Sequence, residues 1–321
     1  MSQIITNLTS LPILHSGVSG RFRGILRDLM GRTVQDTGWF DNLILDSGLP
    51  ILGTPWWSRM YVGSNGTASN VSMTGIQTFI PGGQASISGV NGNAVGLSPN
   101  YETSIITSCR FDKNEATGTI REFGIGISID FTGNDCVARQ VVTPEIVKGP
   151  DNILDLFYDF THWPALGQQL ANGVLIGTET YNTVTTSSDL GGSSTCYPYR
   201  TYGFTQPQYY YTYDGTSELG PITGTPTGIS DTSGSGVTYG SVLQNGAEWY
   251  RDVTYFTDID NGNFVEAGVG ASIVRHENNL YYQTSFKADG NGTLPVGSPI
   301  PKNDTNEIDL TYRTYWGRYT P

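Results

Sequence analysis

Residues 122–129 read Glu-Phe-Gly-Ile-Gly-Ile-Ser-Ile, and residues 266–273 read Glu-Ala-Gly-Val-Gly-Ala-Ser-Ile. Both stretches alternate apolar residues with small or polar ones, which is the period of a β-strand. A second pair of segments, Asn152–Tyr158 and Asn306–Tyr312, follows the first pair in the same order, with a longer spacer in the second copy. Self-similar blocks in a conserved order indicate an internal repeat. The sequence therefore predicts two related β modules.

The composition agrees with an all-β fold. The chain contains 41 glycines among 321 residues, and its apolar runs are short and rich in strand-forming residues. We predict two tandem related β-sandwich modules with long Gly/Ser/Thr-rich loops. The N-terminal module covers residues 1–165 and the C-terminal module covers residues 166–321, with a loop-rich insertion around residues 185–245. Residues 22–30 fit a strand or a helix, and we favour the strand.

The repeat also predicts core residues and an exposed face. Glycines of the repeat alternate with its apolar positions, so either little projects from the opposite face of the strand or another backbone approaches that face closely. That flat face is expected to meet another sheet or a partner subunit. The predicted core positions are Phe123, Ile125, Leu156 and Tyr158 in the first copy and Ala267, Val269, Leu310 and Tyr312 in the second.

Charge and hydropathy argue against several classes of partner. The 29 acidic residues outnumber the 17 basic ones, giving a formal charge of −12, so no nucleic-acid partner is expected, since phosphate contacts need clustered Lys and Arg. No apolar run reaches the roughly 18 residues of a membrane span, and the first residues lack a secretory pattern. The three cysteines, Cys109, Cys136 and Cys196, are expected to be buried thiols rather than a disulfide framework or a metal site.

Repeated acids were considered as catalytic groups. Glu122 and Glu266 occupy one repeat position, and Asp155 and Asp309 occupy another. A hydrolase needs two acids converging in one cleft, whereas here one acid recurs in each module. We expect these acids to face solvent or to bridge subunits, with Glu122 pairing with Arg139.

Metal and nucleophile sites find little support. The segment Asp258–Glu266 is similar to a calcium loop, but its glycine comes one residue early and its last acid is too close, so a hairpin turn is favoured. The only histidines, His15, His162 and His276, lack a nearby nucleophile motif. We predict no catalytic residue, cofactor or metal, and no enzyme activity.

Aromatic residues give the candidate interaction surface. Tyr209, Tyr210, Tyr211 and Tyr213 lie in a tyrosine-rich segment, and Trp56 and Trp57 are adjacent in another. Flat rings with polar tips suit protein interfaces and sugar stacking alike. A subunit interface is the favoured interpretation, with core packing and ligand contact as the alternatives.

Several motifs resemble one family. Residues 38–49, Gly-Trp-Phe-Asp-Asn-Leu-Ile-Leu-Asp-Ser-Gly-Leu, and residues 57–63, Trp-Ser-Arg-Met-Tyr-Val-Gly, resemble the entry region of virion structural proteins of tailed bacteriophages. The strands at residues 122–126, 137–140 and 152–158 resemble the end of the same family's pattern. The resemblance covers residues 20–163, with a partial second copy at 253–316 in which Gln283 stands at the position of Arg139.

The resemblance implies a structural subunit of the tail, the neck or collar, or a tail fibre, assembled in the bacterial host cytoplasm as a homo-oligomer. Its expected partners are copies of itself and other virion proteins. A host-receptor or glycan-binding tail adhesin is the first alternative, and a tail-associated polysaccharide-degrading enzyme is the second.

Overall fold

The structure is a computed structural model, and it describes part of the chain. The described residues are 3–4, 6–7, 13–52, 58–95, 102–127, 136–164, 168–176, 179–189, 209–213, 229–231, 237–257, 262–263, 270–275, 280–287, 301–302 and 306–319. Side-chain surroundings are described at 17–52, 58–89, 106–127, 136–161, 240–252, 313 and 315–319. All statements below refer to these residues.

The described residues are almost entirely strands, so the predicted all-β class is confirmed. The strands before residue 165 are β1 (Gln3–Ile4), β2 (Thr6–Asn7), β3 (Ile13–Arg27), β4 (Thr33–Asp36), β5 (Phe40–Asp41), β6 (Leu43–Ile44), β7 (Arg59–Gly63), β8 (Phe79–Ser86), β9 (Gly89–Val95), β10 (Glu102–Phe111), β11 (Gly118–Gly126), β12 (Cys136–Lys148) and β13 (Ile153–Pro164). One helical turn, α1 (Leu49–Leu52), lies between β6 and β7.

The strands after residue 165 also include both short and long ones. They are β14 (Gln168–Ile176), β15 (Glu179–Asp189), β16 (Tyr209–Tyr213), β17 (Ile229–Asp231), β18 (Val237–Tyr239), β19 (Leu243–Asn245), β20 (Glu248–Thr257), β21 (Gly262–Asn263), β22 (Gly270–Arg275), β23 (Leu280–Lys287), β24 (Pro301–Lys302) and β25 (Asn306–Arg318). The favoured strand at residues 22–30 is confirmed as far as Arg27. The loop-rich insertion predicted around residues 185–245 contains short strands, among them β17 and β18.

The large sheet joins strands from both ends of the chain. Its order is β18–β20–β25–β3–β13–β10–β9. Strand β3 pairs antiparallel with β13 along one edge and parallel with β25 along the other. The sheet therefore runs across the predicted module boundary.

The smaller sheets complete the layers. A five-stranded sheet has the order β6–β12–β11–β7–β8, and a seven-stranded sheet has the order β17–β16–β22–β23–β15–β14–β2. Strands β21 and β24 pair with each other. The five-stranded sheet packs on the large sheet, and Phe22 of the large sheet contacts Phe123 of the smaller one at 5.9 Å between ring centroids. This half of the molecule is sandwich-like.

The strand order of the first half recurs in the second. In the large sheet β9–β10–β13 corresponds to β18–β20–β25, and β6–β12–β11–β7–β8 corresponds to β15–β23–β22–β16–β17. Neighbours in each of these runs are antiparallel. A duplication would produce this recurrence, and the duplication itself stays a prediction.

The residue-by-residue equivalence differs from the sequence alignment in one strand. Gly124 pairs with Tyr61 and Arg139, while Ile273 pairs with Tyr211 and Gln283. This register places Ile273 at the position of Gly124, whereas the sequence alignment places Gly268 there. Ala267 and Val269 lie outside the described residues, so the matches of Phe123 with Ala267 and of Ile125 with Val269 stay predictions.

The C-terminal strand is anchored in the N-terminal core. Trp316 is fully buried in the core cluster, and its Nε1 donates to the Leu49 carbonyl at 2.7 Å. Arg318 donates from Nε to the Ile44 carbonyl at 2.7 Å. The first sandwich is thus closed by residues from the last strand of the chain.

Candidate interaction surface

The polar side of β11 is buried. Glu122 and Arg139 are both 0% exposed, and Arg139 Nε donates to Glu122 Oε2 at 2.7 Å. The Glu122 carboxylate also accepts backbone N–H groups from Asn65, Gln77 and Thr78 at 2.9–3.2 Å. The predicted Glu122–Arg139 pair is confirmed, but the expected solvent-facing or subunit-bridging position of Glu122 is wrong. Burial of both charges is tolerated because hydrogen bonds satisfy the carboxylate.

The guanidinium of Arg139 binds the same loop. Its Nη1 donates to the Thr67 carbonyl at 3.2 Å and to Ser69 Oγ at 2.9 Å. Nη1 also lies 3.3 Å from Met73 Sδ. Residues 64–78, named here the cap segment, are therefore fixed across the outer side of the five-stranded sheet.

The glycine positions explain how closely the cap segment approaches. A Cβ added at Gly63 would overlap Glu122 Oε1 and lie 2.6 Å from the Thr78 carbonyl oxygen. A Cβ at Gly124 would lie 2.9 Å from Cys136 Sγ and 3.0 Å from Ile76 Cδ1. In the first half the expectation that this glycine-flat face meets another subunit is wrong, because the chain's own cap segment covers it.

The outer face of the large sheet is arranged differently. On β3, Val18, Phe22 and Leu26 point into the core, so strand alternation places Arg21, Arg23 and Arg27 on the other side. Arg21 donates from Nε and Nη2 to Asp159 Oδ2 at 2.9 and 2.8 Å. Arginines and aspartates of neighbouring strands therefore form rows across this face.

Asp155 is held between two arginines. It accepts from Arg27 Nε at 2.9 Å and from Arg110 Nε at 2.7 Å, and it is 8% exposed. Burial raises the pKa of the Asp155 carboxyl, but the hydrogen bonds from Arg110 and Arg27 outweigh burial, so its pKa lies below the ordinary value. The expectation that Asp155 faces solvent or bridges subunits is wrong, since it pairs within the chain.

Aromatic rings complete this face in both halves of the chain. The Arg21 guanidinium lies 5.3 Å from the ring centroid of Trp39, and the Arg313 guanidinium lies 4.5 Å from that of Tyr250. Arg313 also pairs with Asp252, with Nε–Oδ1 at 2.7 Å. Cation–π contacts at these distances are attractive and hold the side chains in place before any partner binds.

We name this surface the arginine–aromatic face. Its residues are Arg21, Arg23, Arg27, Trp39, Arg110, Asp155, Asp159, Tyr250, Asp252, Arg313 and Tyr315. Guanidinium groups can donate to carboxylates and carbonyls of a partner, and Arg, Trp and Tyr are the residues that carry most binding energy in protein interfaces. The face therefore offers guanidinium hydrogen-bond donors and aromatic rings on one side of the sheet.

The described residues contain no group of three or more His, Cys, Asp or Glu side chains placed to hold a metal. Cys109 and Cys136 are buried, as predicted, and burial raises the pKa of the Cys109 thiol. Cys196 and His276 lie outside the described residues, as does most of Asp258–Glu266. No described helix is long and apolar enough to span a membrane.

The structure places the other predicted site residues unevenly. Phe123, Ile125, Leu156 and Tyr158 are fully buried in one core cluster. Trp56, Trp57, Ala267 and Val269 lie outside the described residues. The structure gives only the backbone of Leu310, Tyr312 and the four tyrosines Tyr209, Tyr210, Tyr211 and Tyr213. Those tyrosines lie on β16, which is paired on both sides, by β17 and β22.

Sequence reasoning missed the arginine–aromatic face. Its signal is present as Arg21-Phe-Arg-Gly-Ile-Leu-Arg27, where basic and apolar residues alternate, and as Asp155 and Asp159 on β13. The two strands are distant in sequence, so their pairing could not be read locally.

Neither a protein-family model nor a curated protein nor a solved structure shows a significant match to the chain.

Proposed function

We propose that this chain is a structural subunit of a tailed-bacteriophage virion, in the tail, the neck or collar, or a tail fibre, and that it works by assembly rather than by turnover of a substrate. The observation that carries the proposal is the outer face of the large sheet, which runs across both halves of the chain and is lined by arginines and aromatic rings. The sequence resemblance of residues 20–163 supplies the virion context.

The size of this face fits a specific protein contact. Five strands of the sheet have ten or more residues, namely β3, β10, β13, β20 and β25. Five strands spaced about 4.8 Å apart are about 24 Å wide, and nine residues of a strand span about 30 Å. The resulting area of about 700 Å² is close to the roughly 800 Å² that each partner buries in a standard interface. A neighbouring virion protein could dock on this area without using loops.

The side chains of the face are already oriented. Arg21 and Arg313 are each fixed by an aspartate and an aromatic ring, so less rotamer entropy is lost when a partner binds. Guanidinium N–H groups suit a partner surface rich in carboxylates and carbonyls. The proposed partner at this face is therefore an acidic virion protein.

The same contacts favour a protein over a sugar. A sugar ring binds by stacking on an aromatic face, and one face of both Trp39 and Tyr250 already faces a guanidinium. The glycan-binding alternative is tested by a glycan array, on which the proposal expects no specific signal.

The proposal is tested in the phage that encodes the chain. Antibodies against the purified protein are expected to label purified particles by immunogold microscopy, and unlabelled particles would overturn the virion assignment. Particles lacking the gene are then complemented in trans. The variant Trp39→Ala/Tyr250→Ala is expected to lower the yield of infectious particles at least tenfold.

The matched control is Val147→Ala, an exposed position on the five-stranded sheet. It is expected to restore wild-type yield. Both variants are first compared with the wild type by circular dichroism and thermal unfolding. A folded Trp39→Ala/Tyr250→Ala variant that complements fully would remove the arginine–aromatic face from the proposal.

A further inference from the structure

The large sheet ends in two unlike edges. At one end lie β18 and β19, strands of three residues each. At the other end lies β9, which pairs with β10 along its whole length, from Gly89 opposite Ser108 to Val95 opposite Glu102. Among the described residues, no strand pairs with the second edge of β9.

Edge strands usually carry devices that prevent pairing with another chain, such as prolines, charges, bulges or short length. The edge strand of the five-stranded sheet, β8, has these devices. It contains Pro81, a glycine with positive φ at Gly82 (70°), and an irregular register against β7. Pairing of another chain along β8 is therefore blocked.

Strand β9 has none of these devices. Its sequence, Gly-Val-Asn-Gly-Asn-Ala-Val, contains no proline and no charged residue, and its register against β10 is regular. A row of backbone N–H and C=O groups along such an edge is a template for another strand.

We propose that β9 pairs antiparallel with β9 of a second copy of this chain. An antiparallel pair of identical strands has twofold symmetry, so the same patch is used by both copies. An uncharged strand suits this arrangement, since like charges placed opposite each other would destabilise the pair. The inference rests on the proposed role in virion assembly and adds to it a self-assembly contact and the surface through which that contact occurs.

The consequence for assembly is a continuous sheet across two copies. Both copies of the arginine–aromatic face would then lie on the same extended sheet, which gives a partner twice the docking area. The self-contact and the contact with other virion proteins would use different surfaces.

The test compares molecular masses by light scattering after size exclusion. Wild type is expected to be a dimer or a larger even-numbered assembly. The variant Asn91→Lys/Asn93→Lys brings four lysines together in the proposed pair, and its mass is expected to fall at least twofold. Val147→Lys adds the same charge per site on an exposed position of the other sheet and is expected to keep the wild-type mass.

The outcomes separate the two proposals. A monomeric wild type contradicts the proposed self-assembly itself. An oligomeric wild type whose Asn91→Lys/Asn93→Lys variant is folded and keeps its mass overturns only the β9 contact.

A cross-linking measurement covers the case in which the lysine variant does not fold. Cysteine is placed singly at positions 91, 92 and 93 in a Cys196→Ser background. At least one of the three is expected to give a disulfide-linked dimer on mild oxidation, because central positions of an antiparallel self-pair lie opposite each other. Absence of a linked dimer at all three positions, in proteins that are oligomeric by light scattering, would overturn the inference.

Discussion

On the five-stranded sheet the ion pair Glu122–Arg139 lies beneath the cap segment with neither side chain exposed, whereas on the large sheet Arg21, Arg23 and Arg110 keep between 34% and 55% of their side chains in water. Both sets pair arginine with a carboxylate at hydrogen-bonding distance. They differ in what covers them: one is sealed by the chain's own loop, and the other is open.

This difference in burial predicts that the two sets of ion pairs contribute differently to the stability of the fold. A buried charge that loses its partner is costly because water cannot replace the lost interaction. An exposed charge that loses its partner is solvated again at little cost. The capped side is therefore expected to govern stability, and the open side is expected to be free to serve a partner.

The largest expected effect comes from breaking the buried pair. Arg139→Met leaves Glu122 buried without its cation and frees the middle of the cap segment, so the free energy of unfolding is expected to fall by about 3–5 kcal/mol. Arg121→Met is the matched control, because it breaks an exposed pair with Glu145 between the same two strands, β11 and β12, and is expected to cost less than about 1 kcal/mol. Urea unfolding followed by fluorescence measures both. Equal losses in the two variants would contradict the expected role of the buried Glu122–Arg139 pair in stability.

The pairing of Glu122 with Arg139 was predictable, and its burial was not. The alternation of residues 122–129 gives the strand and its core side, but a polar residue on the other side reads as solvent-exposed unless something covers it. The cover is the cap segment, Ser-Asn-Gly-Thr-Ala-Ser-Asn-Val-Ser-Met-Thr-Gly-Ile-Gln-Thr, which has no periodicity. Its only large apolar residues are Val71, Met73 and Ile76, and three such residues without periodicity do not predict that the segment packs on a sheet.

For the arginine–aromatic face, the strands were easier to predict than the arrangement that brings them together. Alternation predicted the strands that became β13 and β25, and a strand was favoured over a helix at residues 22–30. The face itself depends on β3 lying between β13 and β25, a long-range arrangement that local pattern does not encode. The repeat predicted a duplication, but it did not predict the parallel pairing of β25 with β3 that joins the two halves.

The next effect tests whether the glycine side of β11 is closed. Gly63→Ala places a Cβ against Glu122, Ile76 and the Thr78 backbone, and overpacking of this kind is expected to cost about 1–3 kcal/mol. At Gly66, inside the cap segment, an added Cβ meets only Arg121 Cδ at 3.5 Å, so Gly66→Ala is expected to cost less than about 0.5 kcal/mol. Chemical denaturation compares the two.

The same pair of variants tests whether the glycine side of β11 is covered by the cap segment or, as the sequence predicted, by a partner subunit. If the glycine side were a subunit interface, Gly63→Ala would leave the monomer's stability unchanged and lower the mass of the assembly. That result would show that the cap segment does not close the sheet.

An effect of similar size is expected at Asp155, which is less buried than Glu122 but less exposed than the arginines of the open face. Its folded-state pKa lies below the ordinary value of 3.8, so its contribution to stability is fully present above pH 3.8 and is lost as the pH falls through the folded-state pKa. Asp155→Asn is therefore expected to lower the free energy of unfolding by about 1–3 kcal/mol at pH 7. The difference from wild type is expected to shrink below about pH 4.

The measurement for Asp155 is urea unfolding of wild type and variant at several pH values between 2.5 and 7. A difference that stays constant across this range would mean that the loss does not come from the carboxylate charge. Such a result would place the stabilising effect of Asp155 in packing instead.

The smallest effect on stability is expected at the open face itself. Arg23 makes two hydrogen bonds to Asp36, at 3.0 and 2.5 Å, with about a third of both side chains exposed. Despite this geometry, Arg23→Ala is expected to cost less than about 1 kcal/mol, and the cost is expected to fall further in 1 M salt, where charges more than about 3 Å apart are screened. Unfolding in low and high salt measures both. A loss as large as that of Arg139→Met would mean that the outer pairs hold the fold together, and the arginine–aromatic face would then need no partner to account for it. A small, salt-sensitive loss would show that these arginines contribute little to stability. The proposed docking of a partner would then account for five arginines on one side of a chain in which acidic residues outnumber basic ones.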